Sequence, residues 1–373
     1  MAQHTLTKEG LGEAAVDRII DALLASGARF SAESFRKAAL SSLHQLELKD
    51  RVRHLITVMN VHLPSSFPET AYILSELKEH WPRDHDEEND YYFAAWPIVD
   101  YVAKHGLNHP DIALPLLRYL TPLFSAEFAI RSFLEVHPEQ TYNQMQMWCL
   151  DSDEHVRRLA SEGIRPRLPW GKHLPQYIEN PAPVISLLEN LKDDPSDYVR
   201  RSVANNLNDI SKDHPELVIV TCKAWQGQKV TAREWVIRHA TRSLVKEGHP
   251  GVFPLLGFTP KPQLQVSAPM LSSTHLILGD SLGIEAQVSS LSKHKQYVVI
   301  DYAVHYMRSN GKTTAKVFKW KNLRLKPGQT VTLQKSHPFK KVTTRRHYPG
   351  AHKIEILVNG KHASESTFEL HIA

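Results

Sequence analysis

Cysteine is nearly absent from this sequence, with Cys149 and Cys222 as the two examples in 373 residues. They provide neither a disulfide framework nor the paired spacing of a zinc site, and they fit a reducing cytosol. No apolar run approaches the length of a membrane span, and the first residues lack the basic segment and apolar core of a secretory signal. The 22 histidines contain no HExxH-type pair. We therefore expect a cytoplasmic protein that does not enter a membrane and has no metal site.

Acidic residues are scarce in the C-terminal part. Residues 261–373 contain 17 Lys and Arg but only 6 Asp and Glu, a net charge of +11. The preceding residues contain 28 basic and 34 acidic side chains, a net charge of −6. A basic part attached to a mildly acidic one is typical of proteins that bind nucleic acid or an acidic surface. A basic surface that only keeps the protein soluble explains the same charge.

One phrase occurs twice, 43 residues apart, as DSDEHVRRLA at 151–160 and DPSDYVRRSVA at 194–204. A period of this length on helical patterns is typical of HEAT or armadillo-like repeats. The Asp and Ser residues that begin each copy can cap a helix, which places the two arginines inside the following helix. Arginines at one position of stacked repeats would line a concave face, and such a row suits a polyanion.

His-Pro dipeptides recur in the helical part, at 109–110, 137–138, 214–215 and 249–250. Proline is tolerated in a first helical turn because its missing N–H would be unpaired there. We interpret each dipeptide as the start of a repeat's first helix, with the arginine-bearing helix as the second. Trp148 and Trp225 follow two of the dipeptides at the same spacing and are predicted to pack in the core. A further arginine-bearing helix is predicted at 231–246.

The hydrophobic period changes from helical to alternating near residue 260. A Thr-Pro-Lys-Pro segment at 259–262 is predicted to be a linker. Beyond it, an Asn-Gly turn at 310–311 and about seven short alternating runs are typical of an immunoglobulin-like sandwich. We therefore predict an all-α HEAT-like repeat superhelix at 1–258, followed by an all-β immunoglobulin-like sandwich at 263–373.

Four ungapped segments resemble a known family: FAIR at 128–131, VRRLASEG at 156–163, RPRLPW at 165–170 and SVANNLNDISK at 202–212. The family is AlkC, which comprises bacterial alkylation-repair DNA glycosylases with HEAT-like repeats, related to the AlkD family. The resemblance covers essentially the whole chain, and one branch of AlkC proteins has a C-terminal immunoglobulin-like domain. It implies excision of cationic methylated bases, chiefly 3-methyladenine and also 3-methylcytosine, from double-stranded DNA. It also implies that the lesion is not flipped into a deep pocket.

The resemblance places the active-site acids on Glu127, Glu162 and Asp209, and the active-site aromatic residue on Trp170. The chemistry suits these residue types, because a base alkylated at a ring nitrogen is cationic and already a good leaving group. Carboxylates stabilise the oxocarbenium sugar and orient a water molecule, and a tryptophan face attracts a cation. Neither a metal nor another cofactor is required for this reaction.

Two features depart from the AlkD pattern. The AlkD-type pair of Trp and Asp four residues apart occurs here as Trp96 and Asp100, which lie too far upstream to align. The second AlkD tryptophan is replaced by Asn205. The AlkD arrangement is therefore not transferred to this chain.

The basic residues predicted to contact DNA share either a repeat position or a basic loop. In the helical part they are Arg131, Arg157, Arg158, Arg165, Arg167, Arg200, Arg201, Arg238 and Arg242. In the sandwich, which is predicted to clamp the duplex, they are Lys312, Lys316, Lys340, Arg345 and Arg346.

Three functions are compatible with these residues. The first is a monomeric, monofunctional alkyl-DNA glycosylase, the second is a non-catalytic DNA-binding repeat protein, and the third is a scaffold for an acidic protein. Each site residue also has an interpretation without catalysis: Glu162 and Asp209 could form structural ion pairs with Arg158 and Arg201, and Trp170 could cover a repeat edge. Release of bases from methylated DNA separates the first function from the others, and a steep salt dependence on DNA separates the second from the third.

Overall fold

The computed structural model describes residues 7–81, 90–226, 230–342 and 345–372. Within these ranges the chain is helical up to residue 255 and forms β-strands from residue 264 onward. The predicted fold class, helical repeats followed by an immunoglobulin-like sandwich, is confirmed. The predicted linker at 259–262 lies between the last helix and the first strand.

The described part of the chain contains 17 α-helices. Their bounds are α1 Glu13–Ala25, α2 Ala32–Leu40, α3 Leu48–His62, α4 Phe67–Leu74, α5 Leu77–His80, α6 Trp96–His105, α7 Pro110–Leu120, α8 Ile130–Val136, α9 Pro138–Trp148, α10 Glu154–Gly163, α11 Pro175–Glu179, α12 Ala182–Glu189, α13 Asp197–Ile210, α14 Pro215–Trp225, α15 Thr231–Ala240, α16 Arg242–Glu247 and α17 Val252–Leu255. Among the helices of the described ranges, none combines the length and apolar character that a membrane span needs.

The repeated phrase begins its two helices in the same way. The Asp151 carboxylate accepts a hydrogen bond from the Asp153 amide, and the Asp194 carboxylate accepts one from the Ser196 amide, each at 2.9 Å. These residues precede α10 and α13, which pack against each other. The prediction that both arginine pairs lie inside the following helices is therefore confirmed.

Three of the four His-Pro dipeptides begin a helix as predicted, since α7, α9 and α14 start at their prolines. The fourth does not, because α17 begins two residues after Pro250. Trp148 and Trp225 are 1% and 2% exposed, which confirms their core packing. The helix predicted at 231–246 is interrupted at Thr241, whose hydroxyl donates to the Ile237 carbonyl at 2.8 Å.

Nine β-strands form two sheets in the described residues. They are β1 Leu264–Val266, β2 Met270–Leu271, β3 His275–Ile277, β4 Ser281–Ser290, β5 Gln296–Met307, β6 Thr313–Leu325, β7 Thr330–Pro338, β8 Gly350–Val358 and β9 Lys361–His371. In one sheet β1, β2 and β7 pair with β4, and in the other the order is β3-β9-β8-β5-β6. The paired strands are antiparallel except for β3 and β9. Leu282 and Ile284 of the first sheet pack with Tyr302, Val304 and Phe368 of the second.

The chain divides into two compact units, Met1–Asp213 and His214–Ala373. The division precedes the predicted linker, because the last helices pack on the sandwich. Leu244 of α16 and Val252 and Phe253 of α17 share a core cluster with Val299 of β5. The boundary predicted at residue 258 therefore marks the change from helix to strand, whereas the packing units divide 45 residues earlier.

Candidate active site

The three predicted acids lie in one continuous chain of ion pairs within the first compact unit. Arg158 on α10 donates to Glu127, and its second terminal nitrogen lies 3.4 Å from Glu162. Arg165, just after α10, approaches Glu162 to 2.6 Å and Asp209 of α13 to 2.8 Å. Three carboxylates thus alternate with two guanidinium groups, and Lys212 at the Asp209 end brings the charge of the six side chains to zero.

Glu162 and Asp209 are buried, and each of their carboxylate oxygens has a partner. Oε1 of Glu162 meets the two arginines, and Oε2 accepts a hydrogen bond from the Ser202 hydroxyl at 2.6 Å. Oδ2 of Asp209 accepts from Arg165 at 2.8 Å, and Oδ1 accepts from Lys212 at 3.0 Å. These bonds replace the hydrogen bonds to water that the two carboxylates lose on burial, and they hold both groups in one orientation.

Glu127 differs from the other two acids because its partners share a single oxygen. Ser125 donates to Oε2 at 2.9 Å, and Arg158 donates to the same atom. The described residues supply no hydrogen bond to Oε1. Burial raises the pKa of Glu127; the Arg158 charge opposes the rise and the Glu162 charge adds to it. Glu127 therefore combines an available oxygen with a basicity above that of an ordinary glutamate.

Trp170 lies in the loop between α10 and α11, immediately after Pro169. Its backbone φ is 63°, in the left-handed region that residues other than glycine rarely adopt. Its residue surface is 68% exposed, so the indole does not serve to cover a repeat edge. An exposed aromatic face of this kind is available to stack on a base or to contact a cation.

Of the two structural ion pairs considered from sequence, the structure contains one and replaces the other. Glu162 pairs with Arg158, as expected, and also with Arg165. Asp209 pairs with Arg165 and Lys212 rather than with Arg201, which is exposed. The acids are therefore held by arginines of the first repeat copy and of the loop that follows it.

The prediction of a phosphate contact is wrong for Arg131. This side chain is 1% exposed, and its guanidinium donates to the backbone carbonyls of Gly163, Arg165 and Lys172. Burial lowers its pKa to about 10. Its donors are thus used inside the fold, where they hold the loop that follows α10.

Four further arginines predicted to contact phosphates have internal partners, and one of them is Arg158 of the ion-pair chain. Arg157 donates to both oxygens of Asp194, at 2.6 and 3.1 Å. Arg200 donates to the Asp194 carbonyl and to Asp197, and Arg165 lies between the two buried acids. The buried Arg165 needs such partners because an unpaired buried charge is very unfavourable, and its predicted phosphate contact is therefore wrong. Arg157, Arg158 and Arg200 are half-buried, and their phosphate contacts stay predictions.

The remaining predicted arginines of the helical part retain some exposure. Arg201 and Arg238 are exposed, and neither forms an ion pair with a described residue. Arg167 pairs with Asp213 at 2.9 Å while 29% exposed, and Arg242 donates to the His239 carbonyl at 2.6 Å. Arg201 and Arg238 are therefore the arginines best placed to meet a phosphate.

The basic residues predicted in the sandwich lie on its surface. Lys312, Lys316, Lys340 and Arg346 are exposed. The Arg345 guanidinium lies 3.8 Å from the ring centre of Tyr306. An open cleft of about 450 Å³ is formed here, and its lining includes Tyr306, Arg308, Lys316, Arg345, Arg346 and Tyr348. Flat aromatic and cationic groups in one cleft suit a phosphate-bearing ligand.

Sequence reasoning missed Ser202 and set aside the Trp96–Asp100 pair, and the structure places both near the acids. Ser202 donates to Glu162, and its position after the second Arg-Arg pair on a buried helix face was the available signal. The Trp96 indole donates to Asp100 at 2.8 Å and stacks on Phe128, with ring centres 5.5 Å apart. Burial raises the pKa of Asp100 to about 6. Trp96 and Asp100 do not align with the AlkD pair in sequence. The Trp96 ring nevertheless packs on Phe128, the residue that follows Glu127.

Within the described ranges, no three His, Cys, Asp or Glu side chains converge in a way that could hold a metal ion.

Known proteins similar to this chain cover it almost completely. Residues 265–372 match the family described as the C-terminal Ig-like domain of the uncharacterised protein YhaZ. The uncharacterised protein YhaZ of Bacillus subtilis (strain 168) is 33% identical over 364 residues, which are 97% of this chain and 99% of that protein. The structure of Pseudomonas fluorescens alkylpurine DNA glycosylase AlkC, bound to DNA containing an abasic site analog, is 35% identical. Its match covers 98% of this chain and 100% of that one, with a TM-score of 0.91.

Proposed function

The chain belongs to the AlkC family, in the branch with a C-terminal immunoglobulin-like domain, and from this premise we propose that it is a DNA glycosylase of alkylation repair. The observation that carries the proposal is the alternating chain of Glu127, Arg158, Glu162, Arg165 and Asp209. We propose cationic methylated bases, chiefly 3-methyladenine and also 3-methylcytosine, as its substrates in double-stranded DNA.

The charge of such a base determines what the enzyme must do. When the N-glycosidic bond breaks, its electron pair moves to the base, which leaves as a neutral molecule. The positive charge passes to the sugar, so no acid needs to protonate the leaving group. Carboxylates held in fixed positions beside the sugar stabilise this oxocarbenium ion more than they stabilise the ground state.

The three acids divide this work according to their partners. Glu162 and Asp209, with each oxygen already hydrogen-bonded, act through their charge. Glu127 has an available oxygen and a raised pKa, which suit it to orient the water that adds to the sugar C1′ and to accept its proton. The scheme needs no metal and no other cofactor, because the substrate itself supplies the cationic leaving group.

Trp170 supplies the aromatic contact in this proposal. Its exposed indole offers a π-face to the cationic base or to the developing sugar cation. A surface aromatic residue meets a lesion without a deep pocket, which is consistent with excision without full extrusion of the base.

The DNA itself is held by cations outside the acid chain. Arg201 and Arg238 contact phosphates from the helices, and the basic surface of the sandwich contacts them from the second unit. We propose that the protein acts as a monomer on bacterial chromosomal DNA in the cytoplasm.

Base release is the direct test. The protein is incubated with DNA that carries radiolabelled methyl groups, and the released bases are separated and identified. We expect 3-methyladenine and 3-methylcytosine in the soluble fraction. Glu162→Gln and Asp209→Asn each lower the single-turnover rate by about ten- to a thousandfold, the range of an electrostatic stabiliser, with DNA affinity largely kept.

Glu179→Gln is the matched control, because Glu179 is an exposed acid of the same unit outside the ion-pair chain. It should excise at the wild-type rate. Salt-dependent DNA binding without base release would identify a non-catalytic DNA-binding protein. Failure to bind DNA at all would favour a scaffold for an acidic protein.

A further inference from the structure

The loop that carries Trp170 is attached to distant parts of the first unit. Arg131 of α8 donates to the carbonyls of Gly163, Arg165 and Lys172, and so holds both ends of the loop. At the centre of the loop, Lys49 of α3 donates from Nζ to the Trp170 carbonyl at 2.6 Å. This bond joins residues that are 121 positions apart in sequence.

The conformation at the loop tip needs external support. A bulky residue with φ near 63° is strained, and it persists where surrounding contacts hold it. The turn is also tight, since the Gly171 amide donates to the Leu168 carbonyl at 3.2 Å. A Cβ added to Gly171 would lie 2.9 Å from the Leu168 side chain. A hydrogen bond to the Trp170 carbonyl fixes the peptide plane between Trp170 and Gly171, and thereby the direction of the indole.

We propose that Lys49 is a positioning residue, whose ammonium group holds the Trp170 loop in the conformation that presents the indole to a lesion. This inference rests on the proposed function for what the indole contacts, but the attachment itself does not depend on it. Lys49 acts through Trp170 and is assigned no contact with the base or the sugar.

Lys49 also interacts electrostatically with a buried carboxyl of α6, although the two groups form no ion pair. Asp100 of α6 is fixed by the 2.8 Å bond from the Trp96 indole to its Oδ2. The Lys49 charge opposes the burial that raises the pKa of Asp100, so the two groups interact. An isolated exposed lysine would bond weakly to a carbonyl, because its ammonium is well hydrated. The Asp100 charge therefore adds a longer-range attraction for Lys49 to the 2.6 Å bond that Lys49 donates to the Trp170 carbonyl.

The test compares Lys49→Met with Lys49→Arg and Lys8→Met. Hydrogen exchange at residues 166–174 reports the loop directly, because the Gly171 and Leu174 amides close it by bonds to Leu168 and Pro166. In Lys49→Met we expect faster exchange there. The excision rate constant should fall about ten- to a hundredfold while the DNA dissociation constant changes less than about threefold. Lys49→Arg retains a donor and should restore both.

Lys8→Met removes the same charge close to α3, where Lys8 pairs with Glu47 at 2.9 Å, and should behave as wild type. The exchange measurement needs no enzymatic turnover. A wild-type protein that releases no base would therefore refute the proposed function while the attachment is still tested. Unchanged exchange in Lys49→Met would overturn the inference. A loss of DNA affinity equal to the loss of rate would also overturn it, since Lys49 would then be a phosphate contact.

Discussion

Arg158 and Arg201 occupy the same position in the repeated phrase, yet their surroundings differ. Arg158 donates to Glu127 and lies beside Glu162 in a buried ion-pair chain, whereas Arg201 is exposed. Glu162 likewise corresponds to Asn205 in the second copy, 43 residues later. The glutamate that accompanies Arg158 in the first copy of the phrase is therefore absent from the second copy. The same residue type pairs with the proposed catalytic carboxylates in one repeat and is exposed to solvent in the next.

The proposed role of Glu127 predicts a distinctive pH dependence. Its ionised form accepts the proton of water, so the single-turnover rate falls as the pH decreases through the pKa of this carboxyl. Because burial raises that pKa, the fall occurs at a higher pH than for an ordinary glutamate. Glu127→Gln should lower the rate about a hundredfold or more and remove the acid limb. Circular dichroism over the same pH range is the control, and an acid limb that persists in the variant would assign the titration to another group.

A turn between two strands determines how closely the last helices approach the sandwich. Gly360 lies between β8 and β9, and Gly248 follows α16. Both have positive φ values, 70° and 71°. A Cβ added to Gly360 would lie 2.1 Å from the Cα of Gly248, so the two backbones are in contact. This contact adds to the core cluster that α16 and α17 share with Val299 of β5, which lies in the same compact unit.

Gly360→Ala should therefore destabilise the second unit by about 1–3 kcal/mol, because a left-handed alanine is strained and the new methyl group displaces a backbone. Hydrogen exchange of β8 and β9 under mild denaturant measures the effect. Gly328→Ala is the matched control, since Gly328 also has a positive φ, 66°, but no atom lies near its added Cβ. An equal loss in both variants would mean that backbone strain alone, and not the close approach, accounts for the change.

Charge is distributed unevenly over the whole molecule. Residues 261–373 carry a net charge of +11, while the part with the proposed active site carries −6. A net negative unit attracts a polyanion poorly, so DNA binding requires cations supplied elsewhere. We propose that the basic surface of the sandwich provides them, since its cleft combines arginines with aromatic rings. A truncation at the predicted linker would test this poorly, because it would also expose Val252 and Phe253 of α17.

Neutralising the basic surface tests its role without removing any element. Replacing Lys312, Lys316, Lys340, Arg345 and Arg346 with glutamine should weaken DNA binding and lower the slope of log K against log salt by about 0.9 for each lost phosphate contact. Excision at subsaturating concentration should fall in parallel. The matched control neutralises five other exposed lysines of the second unit: Lys261, Lys293, Lys295, Lys326 and Lys361. Equal losses in both variants would make the effect one of overall charge rather than of this surface.

Local patterns were sufficient to predict the fold class, the starts of α10 and α13 and the burial of Trp148 and Trp225. Helix caps, the periods of apolar residues and turn glycines act within a few residues of each other, so they can be read directly from the chain. The resemblance of four short segments likewise identified Glu127, Glu162 and Asp209, which the structure brings into one cluster.

The partners of these charges were decided only by tertiary packing. Arg158 and Glu127 are 31 residues apart, Arg165 and Asp209 are 44 apart, and Lys49 reaches Trp170 across 121 residues. No local rule distinguishes an arginine that will be buried against such an acid from one that will stay in water, because the difference depends on which helices pack together. The burial of Arg131, and the packing of α14–α17 on the sandwich, follow from the same long-range contacts.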